Sequence, residues 1–239
     1  MTSIFTYQGQ TFDVDVERGL FTPELVTIPA GDFSPGGAER HSTLAKQRAN
    51  KVEVESFKLG KYAVTVREWR AVMGYLTPVN FNRTTNHPVL NVTWYETQQY
   101  LEQLNKLTGN HFRLPTELEW EYAARAGRKS KYYFSEKSIG YGIEADDDPI
   151  NYAKARNGSV EVGRYPPNKF GLYDMLGNAW EWVSDCADKV DDEEECFIGI
   201  LRGGCWASYE DQVTLNSRDI HDRAEEGWDS FGFRIAIDL

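Results

Sequence analysis

The stretch RLPTELEWEYAARAG, residues 113–127, indicates most directly how the chain folds. Pro115 restricts the residue before it to extended conformations, so regular helix cannot include that residue comfortably. Thr116 is followed three positions later by Glu119, and this spacing lets the hydroxyl and the carboxylate each cap a backbone N–H group. The stretch therefore predicts a strand or loop that turns sharply into a helix, with its end near Gly127.

The same Thr-x-x-Glu spacing predicts two earlier helices, VREWRAVMG at 66–74 and WYETQQYLEQLNKLTG at 94–109. Their capping pairs and terminal glycines are Thr65 and Glu68 with Gly74, and Thr93 and Glu96 with Gly109. In the longer helix, apolar residues at helical spacing predict a buried stripe. The stripe consists of Trp94, Leu101, Leu104 and Leu107.

The remainder of the chain is predicted to be strands and structured loops. ELVTIPAGDF at 24–33 and KVEVESFKLGKYAVT at 51–65 alternate β-branched or aromatic residues with polar ones, which indicates antiparallel strands with one buried face. After residue 128, Gly, Asn, Asp and aromatic residues interleave without a helical pattern, which is typical of functional loops. We therefore expect an α+β fold of small antiparallel sheets and two to three helices, forming a single domain of 1–239.

Composition limits the partners. The net charge is −11 and the isoelectric point is about 4.9, so binding to nucleic acid or to an anionic membrane is not expected. The amino terminus has no basic region followed by an apolar core, and no run of 18 apolar residues occurs. These features favour a cytoplasmic location, although a surface or phage-associated role stays open.

Three cysteines, Cys186, Cys196 and Cys205, are too few for a disulfide framework, and none belongs to a C-x-x-C pair. Cys186 and Cys196 flank an acidic run, so they either clip a short loop in an oxidising environment or stay unpaired. Acidic loops are also candidate calcium ligands, here EADDDPIN at 144–151 and DMLGNAWEW at 174–182. Turn formation by Asn and Asp is the alternative explanation for both.

Four blocks in consecutive order resemble the formylglycine-generating enzyme family, also known as sulfatase-modifying factors. They are HPVLNVTWYETQQYLEQLNKLTGNHFRLPTELEWEYAARAG, NKFGLYDMLGNAWEWVSD, LRGGCW and FGFRIA. The resemblance extends from about residue 25 to 239 and implies a variant C-type lectin fold. From the residues themselves, we expect RGG and GFR to form adjacent central strands, with Arg202 and Arg234 stabilising acidic partners. Because family members bind calcium in the part of the fold that includes DMLGNAWEW, the resemblance implies structural calcium ligands at Asn151, Asn178 and Glu181.

The oxidases of this family bind copper(I) through two cysteines, and the matching positions here are Ser208 and Val213. Neither supplies a thiolate, so no copper is expected and oxidase activity is disfavoured. Cys205 takes the place of a serine of the family and is expected to be packed rather than catalytic. Sulfoxide synthases with this domain use a histidine cluster on a second domain, whereas this chain has only four histidines, at no metal-ligand spacing. An enzyme with another, iron-dependent activity remains the alternative.

A third group of relatives, the variable proteins of diversity-generating retroelements, resembles this chain more closely in type. In these proteins the interval between the RGG and GFR strands binds the ligand. The corresponding residues 205–230, here called the carboxyl-terminal segment, mix rigid aromatic and adaptable polar side chains, a composition that suits recognition. We therefore expect a module that binds a protein or a small-molecule ligand. The expected ligand-binding residues are Trp206, Ser208, Tyr209, Asp211, Asn216, Asp219, His221, Trp228 and Asp229.

Overall fold

Three helices begin directly after the threonines that predicted them. In a computed structural model of the chain, α1 is Val66–Met73, α2 is Trp94–Thr108 and α3 is Glu117–Arg125, and both reciprocal capping bonds are present in each. The first two end at left-handed glycines, as predicted. The third ends one residue earlier than predicted, because Ala126 takes the left-handed conformation (φ 45°) and donates its N–H to the Tyr122 carbonyl.

Eleven strands are present among the residues that the structure describes. These residues are 2–7, 10–15, 22–36, 51–75, 84–132, 150, 152, 158–189, 196–220 and 223–239. The strands are β1 (Thr2–Tyr7), β2 (Gln10–Asp15), β3 (Leu25–Ile28), β4 (Gly31–Phe33), β5 (Val52–Val54), β6 (Phe57–Gly60), β7 (Trp180–Lys189), β8 (Cys196–Arg202), β9 (Arg218–Asp219), β10 (Phe231–Phe233) and β11 (Ala236–Asp238).

Small sheets of mostly antiparallel strands organise the chain, which confirms the α+β prediction. The principal sheet has the order β10-β7-β8-β9, a second sheet has the order β11-β6-β3, and β1-β2 and β4-β5 are separate hairpins. The prediction that the RGG and GFR strands are adjacent is wrong. The long strand β7 lies between β8 and β10, and β10 pairs with it in parallel register. The stretch WEWVSD at the start of β7 lies in the region that the sequence predicts to be rich in loops.

A disulfide joins Cys186 in β7 to Cys196 at the start of β8. The two strands pair antiparallel, and their register shifts three times between Trp182 and Lys189. Of the two alternatives that the sequence left open, the structure therefore selects the bridged one. A covalent link here holds together a hairpin whose hydrogen-bond ladder is irregular.

Two apolar clusters form the core of the part of the chain that the structure describes. One lies under α3 and includes Trp120, which is fully buried. The other lies between α1, α2 and the principal sheet, where Trp69 stacks on Tyr100 with ring centroids 5.5 Å apart. The predicted stripe of α2 belongs to this second cluster, since Leu101 and Leu104 are buried in it and its two other members pack against it. Among the described residues, no helix is long and apolar enough to cross a membrane.

Candidate binding surface

Two glycines directly precede the carboxyl-terminal segment and turn the chain away from β8. Gly203 and Gly204 both have positive φ, 96° and 79°. A Cβ at Gly204 would lie 2.5 Å from Cγ1 of Val213 and 2.7 Å from the carbonyl oxygen of Gln212. Only glycine therefore allows both the left-handed backbone and this close approach of the following turn.

Cys205 is packed beneath the surface, as expected. Its side chain is 3% exposed, and its Sγ lies 3.4 Å from the hydroxyl of Ser208. That hydroxyl also accepts a hydrogen bond from the Cys205 N–H at 3.1 Å. Burial raises the pKa of the thiol, so the reactive thiolate is disfavoured. This environment is that of a structural cysteine.

The middle of the segment is fastened to the rest of the protein by backbone and arginine contacts. The Leu215 N–H donates to the carbonyl of Lys131 at 2.7 Å. The Leu215 carbonyl accepts from Nη2 of Arg202 at 2.9 Å. At the next residue, Oδ1 of Asn216 accepts from Nη2 of Arg125. Residues 215 and 216 therefore have little freedom to move relative to the core.

Buried carboxylates of α3 hold these arginines in place. Arg202 is fully buried and donates to Glu117 at 2.8 Å and to Glu121 at 3.1 Å. Arg218, in β9, donates to the same Glu117 oxygen at 2.7 Å, and Arg125 donates to Glu121 at 2.8 Å. Because every charge has an opposite partner, the network avoids the large penalty of an isolated buried ion. We call these five residues the α3 charge network.

The prediction that Arg202 and Arg234 stabilise acidic partners is confirmed. Arg234 donates to both carboxylate oxygens of Glu181, at 2.6 and 2.7 Å, and all of its side chain is buried. The α3 charge network itself was not anticipated. A signal for it exists in the sequence, since Glu117, Glu121 and Arg125 recur every fourth residue on one helical face beside apolar neighbours.

The end of the segment lies against the amino-terminal end of α2. The Trp94 N–H donates to the carbonyl of Ala224, and the Asn91 N–H donates to the carbonyl of Trp228, both at 2.9 Å. Gly227 approaches so closely that a Cβ would lie 3.1 Å from the backbone carbons of Asn91 and Val92. Backbone contacts therefore fix the position of Trp228 without engaging its side chain.

The predicted ligand-binding residues separate by exposure. The side chains of Tyr209 and Trp228 are 72% and 55% exposed, and Asp211 and Asp229 are also exposed. Three residues are half-buried, namely Trp206, Asn216 and Asp219. Ser208 is buried at 5% and holds the Cys205 turn. His221 lies outside the described residues.

Two contacts bring the exposed aromatic residues to one side of the protein. Nε1 of Trp206 donates to the carbonyl of Asp229 at 3.2 Å, which links the two ends of the segment. The Cys205 thiol lies 3.4 Å from the hydroxyl of Ser208, and Ser230 is close enough to lower the pKa of this thiol. Tyr209 directly follows Ser208 and Trp228 lies two residues before Ser230, so both are carried by turns that contact each other. We call the surface formed by Trp206, Tyr209 and Trp228 the aromatic surface.

The residues predicted to bind calcium are occupied by protein contacts. Glu181 accepts from Arg234 at both oxygens and from Nε1 of Trp120 at 2.7 Å. Oδ1 of Asn178 accepts from the Val160 N–H at 2.9 Å. Calcium needs several oxygens that converge on one point, and these side chains do not fit that requirement as arranged. Asn151 lies outside the described residues, and calcium stays a prediction.

Val213 is fully buried and Ser208 is nearly so, so the two positions that correspond to the copper cysteines of the oxidases face the interior. Within the described part of the chain, no group of three or more His, Cys, Asp or Glu side chains is placed to hold a metal ion.

A cavity of about 520 Å³ is lined by residues of β4, β5 and their flanks, including Asp32, Lys51 and Glu53. None of its lining residues belongs to the carboxyl-terminal segment.

Asp174 is a buried carboxylate that the sequence did not single out. Its Oδ2 accepts from the Gly163 N–H at 2.7 Å, while its Oδ1 has no hydrogen-bond partner among the described residues. Burial raises its pKa to about 6, although the Gly163 N–H and Arg234 act in the opposite direction. The residue also adopts a left-handed backbone with φ 53°. It lies near Glu181 and Arg234, beneath the start of β7.

Comparison with known proteins identifies the family. Residues 14–239 match the model of the sulfatase-modifying factor enzyme 1-like domain, so the chain belongs to this family. The serine/threonine-protein kinase pkn1 of Chlamydia pneumoniae is 35% identical over an alignment 252 residues long. The alignment covers 90% of this chain and 38% of that protein. The chain thus spans well under two thirds of that relative.

Solved structures share the fold, a variant of the C-type lectin fold. PvdO from Pseudomonas aeruginosa superimposes with a TM-score of 0.74 at 28% identity, covering 91% of this chain and 95% of PvdO. The Treponema denticola variable protein 1 superimposes with a TM-score of 0.72 at 22% identity, covering 100% of this chain and 99% of the other. The second likeness is evidence for the fold alone.

Proposed function

We propose that this protein is a binding module whose carboxyl-terminal segment presents the aromatic surface to a protein or small-molecule ligand. One observation carries the proposal. Tyr209 and Trp228 are large aromatic side chains left 72% and 55% exposed. Tyr209 follows Ser208, whose hydroxyl is hydrogen-bonded to the Cys205 N–H, and the carbonyl of Trp228 accepts from the Asn91 N–H. Tyrosine and tryptophan are enriched among the residues that dominate binding energy.

Rigid presentation lowers the entropic cost of binding. A segment that is mobile in the free protein would lose conformational freedom when a ligand docks, which weakens the affinity. Here residues 215, 216 and 218 are held by the α3 charge network, and residues 224 and 228 are held by the end of α2. The aromatic side chains have few rotatable bonds, so little further freedom is lost on contact.

Within this class we propose a variable protein of a diversity-generating retroelement. The supporting features are the family membership, the absence of cysteine at positions 208 and 213, and the location of the exposed residues between the RGG and GFR motifs. Substitutions on exposed turns leave the core unaffected, so this scaffold suits diversification. The burial of Ser208 and the engagement of Asn216 would limit diversification to the exposed positions.

Sequencing the gene and its surroundings in many isolates tests this proposal. The expected result is a reverse-transcriptase gene and a near-copy of the region encoding residues 205–234 that differs at adenines, with variation at Tyr209, Asp211 and Trp228 exceeding that at 113–127. A locus without the near-copy, together with uniform substitution rates along the gene, would rule out diversification. A binding role would then have to be judged from the ligand experiments below.

A further inference from the structure

We propose that the aromatic surface binds a polypeptide that presents several lysine or arginine side chains. This inference rests on the proposed function and specifies the chemistry of the partner. It is carried by the uneven charge around the aromatic surface. The carboxyl-terminal segment contains seven acidic residues against two arginines.

The acidic side chains that reach solvent flank the exposed aromatic residues. Glu210 and Asp211 form the turn that follows Tyr209, Asp229 follows Trp228, and Glu225 and Glu226 lie just before it. All five of these acidic residues are exposed. Because the hydrogen bond from Trp206 to Asp229 and the contacts of Cys205 bring the two ends of the segment together, these carboxylates belong to the same two turns that carry Tyr209 and Trp228.

The two arginines of the segment neutralise little of this charge. Arg218 is directed inward to Glu117, and its side chain is only 14% exposed. Arg223 lies over the ring of Phe197, 5.2 Å from its centroid, and makes only a 3.5 Å contact with Glu225. Four exposed carboxylates, those of Glu210, Asp211, Glu226 and Asp229, have no salt-bridge partner among the described residues.

Exposed aromatic rings among unneutralised carboxylates favour cationic ligands for two reasons. An ammonium or guanidinium group is attracted to the face of an aromatic ring, and most strongly to that of tryptophan. The surrounding carboxylates attract the same group and speed its approach, an effect that salt weakens. Since the carboxylates occupy separate turns at 210–211 and 225–229, the ligand that complements them must carry several cations on one chain.

A random dodecapeptide library displayed on phage, selected on the whole chain in low salt and in physiological salt, provides the probe. We expect the selected peptides to be enriched in Lys and Arg over the starting library. Representative peptides are then synthesised, and their dissociation constants are measured by fluorescence anisotropy for the wild type and for three variants. Spermidine is titrated alongside them, because a small polycation shares the same chemistry.

The variants separate charge from aromatic contact. The first, Asp211→Asn/Glu226→Gln/Asp229→Asn, removes three carboxylates beside the aromatic surface. The second is a matched control, Glu53→Gln/Glu55→Gln/Glu102→Gln, which changes the net charge equally at exposed positions elsewhere. The third, Tyr209→Ala/Trp228→Ala, removes the exposed rings. We expect the first variant to bind the peptides at least tenfold more weakly, the control to change affinity less than twofold, and the third to lose binding.

Other results would overturn the inference. Local charge would not determine the choice of partner if the selected peptides were apolar or acidic. The same would follow if the first variant and its control lost affinity equally. The binding role would still stand in either case if the peptides required the aromatic rings. Spermidine binding as tightly as the peptides would replace the polypeptide by a small polycation. If no selected peptide depended on Tyr209 and Trp228, the proposed function itself would fail.

Discussion

At the scale of single residues, Asp174 shows how a buried carboxylate couples stability to pH. The group is buried, with 5% of the residue exposed, and one of its oxygens lacks a hydrogen-bond partner among the described residues. Its pKa rises from 3.8 to about 6 because burial penalises the charged form. The folded protein therefore binds this proton more tightly than the unfolded chain does. The resulting stabilisation is fully present below about pH 4 and is lost as the pH rises through about 6.

Replacing Asp174 by Asn should stabilise the protein at neutral pH. Asparagine keeps the acceptor for Gly163 and tolerates the left-handed backbone, but it carries no charge to bury. We expect the free energy of unfolding in urea to rise by about 2–3 kcal/mol at pH 7.5, with little difference from the wild type at pH 4. The exposed substitution Asp229→Asn is the control. A difference that is the same at both pH values would contradict the account.

At the same scale, Cys205 is a buried cysteine whose contacts shape a turn. Its thiol is enclosed between Ser208 and Ser230, and its pKa is raised by burial. Ser208, to which the family resemblance assigns the position of a copper-binding cysteine, accepts a hydrogen bond from the Cys205 N–H through its hydroxyl. The two positions therefore serve to shape a turn, and we assign them no catalytic role.

At the scale of elements, the β7–β8 hairpin depends on its disulfide. The ladder between the strands shifts register three times, and the bridge closes a loop over a sequence separation of 10 residues. Closing a loop of this length is expected to stabilise a protein by about 2–3 kcal/mol through the unfolded state.

Thiol counting provides the corresponding prediction. The protein, purified without reductant, should show one thiol by Ellman's reagent, and only after denaturation, because Cys205 is buried. Reduction, or the change Cys186→Ser/Cys196→Ser, should lower the free energy of unfolding by about 2–3 kcal/mol. Three thiols in the freshly denatured protein would mean that the bridge does not form, whereas Cys205→Ser serves as a control that leaves the bridge intact.

The helix α3 acts as an anchor for the carboxyl-terminal segment. Two of its carboxylates bind Arg202, which in turn binds the Leu215 carbonyl. Glu117 also binds Arg218 in β9, and its own N–H donates to Asp185 in β7 at 2.6 Å. One helix thereby connects the strands β7, β8 and β9, and through Arg202 it also holds the turn at Leu215 that precedes β9.

The substitution Glu117→Gln should weaken this anchor strongly. Two arginines would lose their shared negative partner in a buried site, which typically costs about 3–5 kcal/mol. The control is Glu102→Gln, which removes an exposed pair with Lys106 on α2 and should cost less than about 0.5 kcal/mol. Urea denaturation measures both, and amide hydrogen exchange should speed up at residues 214–219 in the Glu117 variant. Equal, small effects in the two variants would contradict the anchoring role.

At the scale of the whole molecule, local signals in the sequence predicted more than distant pairings. The three helices were found because a capping box depends on residues only three positions apart. The position of β7 between β8 and β10 was missed, since no local pattern encodes strand order. Likewise, Glu117 and Glu121 pair with an arginine 85 and 81 positions away, so only the fold brings them together.

The candidate site was predictable in composition and less so in exposure. Tyr209 and Trp228 were expected to be binding anchors, and they are among the most exposed large apolar side chains described. Ser208 and Asn216 were chosen because their residue types suit recognition, yet their side chains serve turns and the α3 charge network. Residue type indicates what a side chain can bind, whereas its partner in the fold decides whether it is available.

The central claim is that the aromatic surface binds a ligand, and the affinity of a selected partner tests it most directly. The measurement is the dissociation constant of that partner, whatever its charge, for Tyr209→Ala/Trp228→Ala and for the control Leu239→Ala. The control removes another exposed apolar side chain, 66% exposed and outside the segment. We predict that the double variant loses about 100-fold or more in affinity while its stability stays unchanged. The control should keep the affinity of the wild type. A dissociation constant within about twofold of the wild type in the folded double variant would contradict the account.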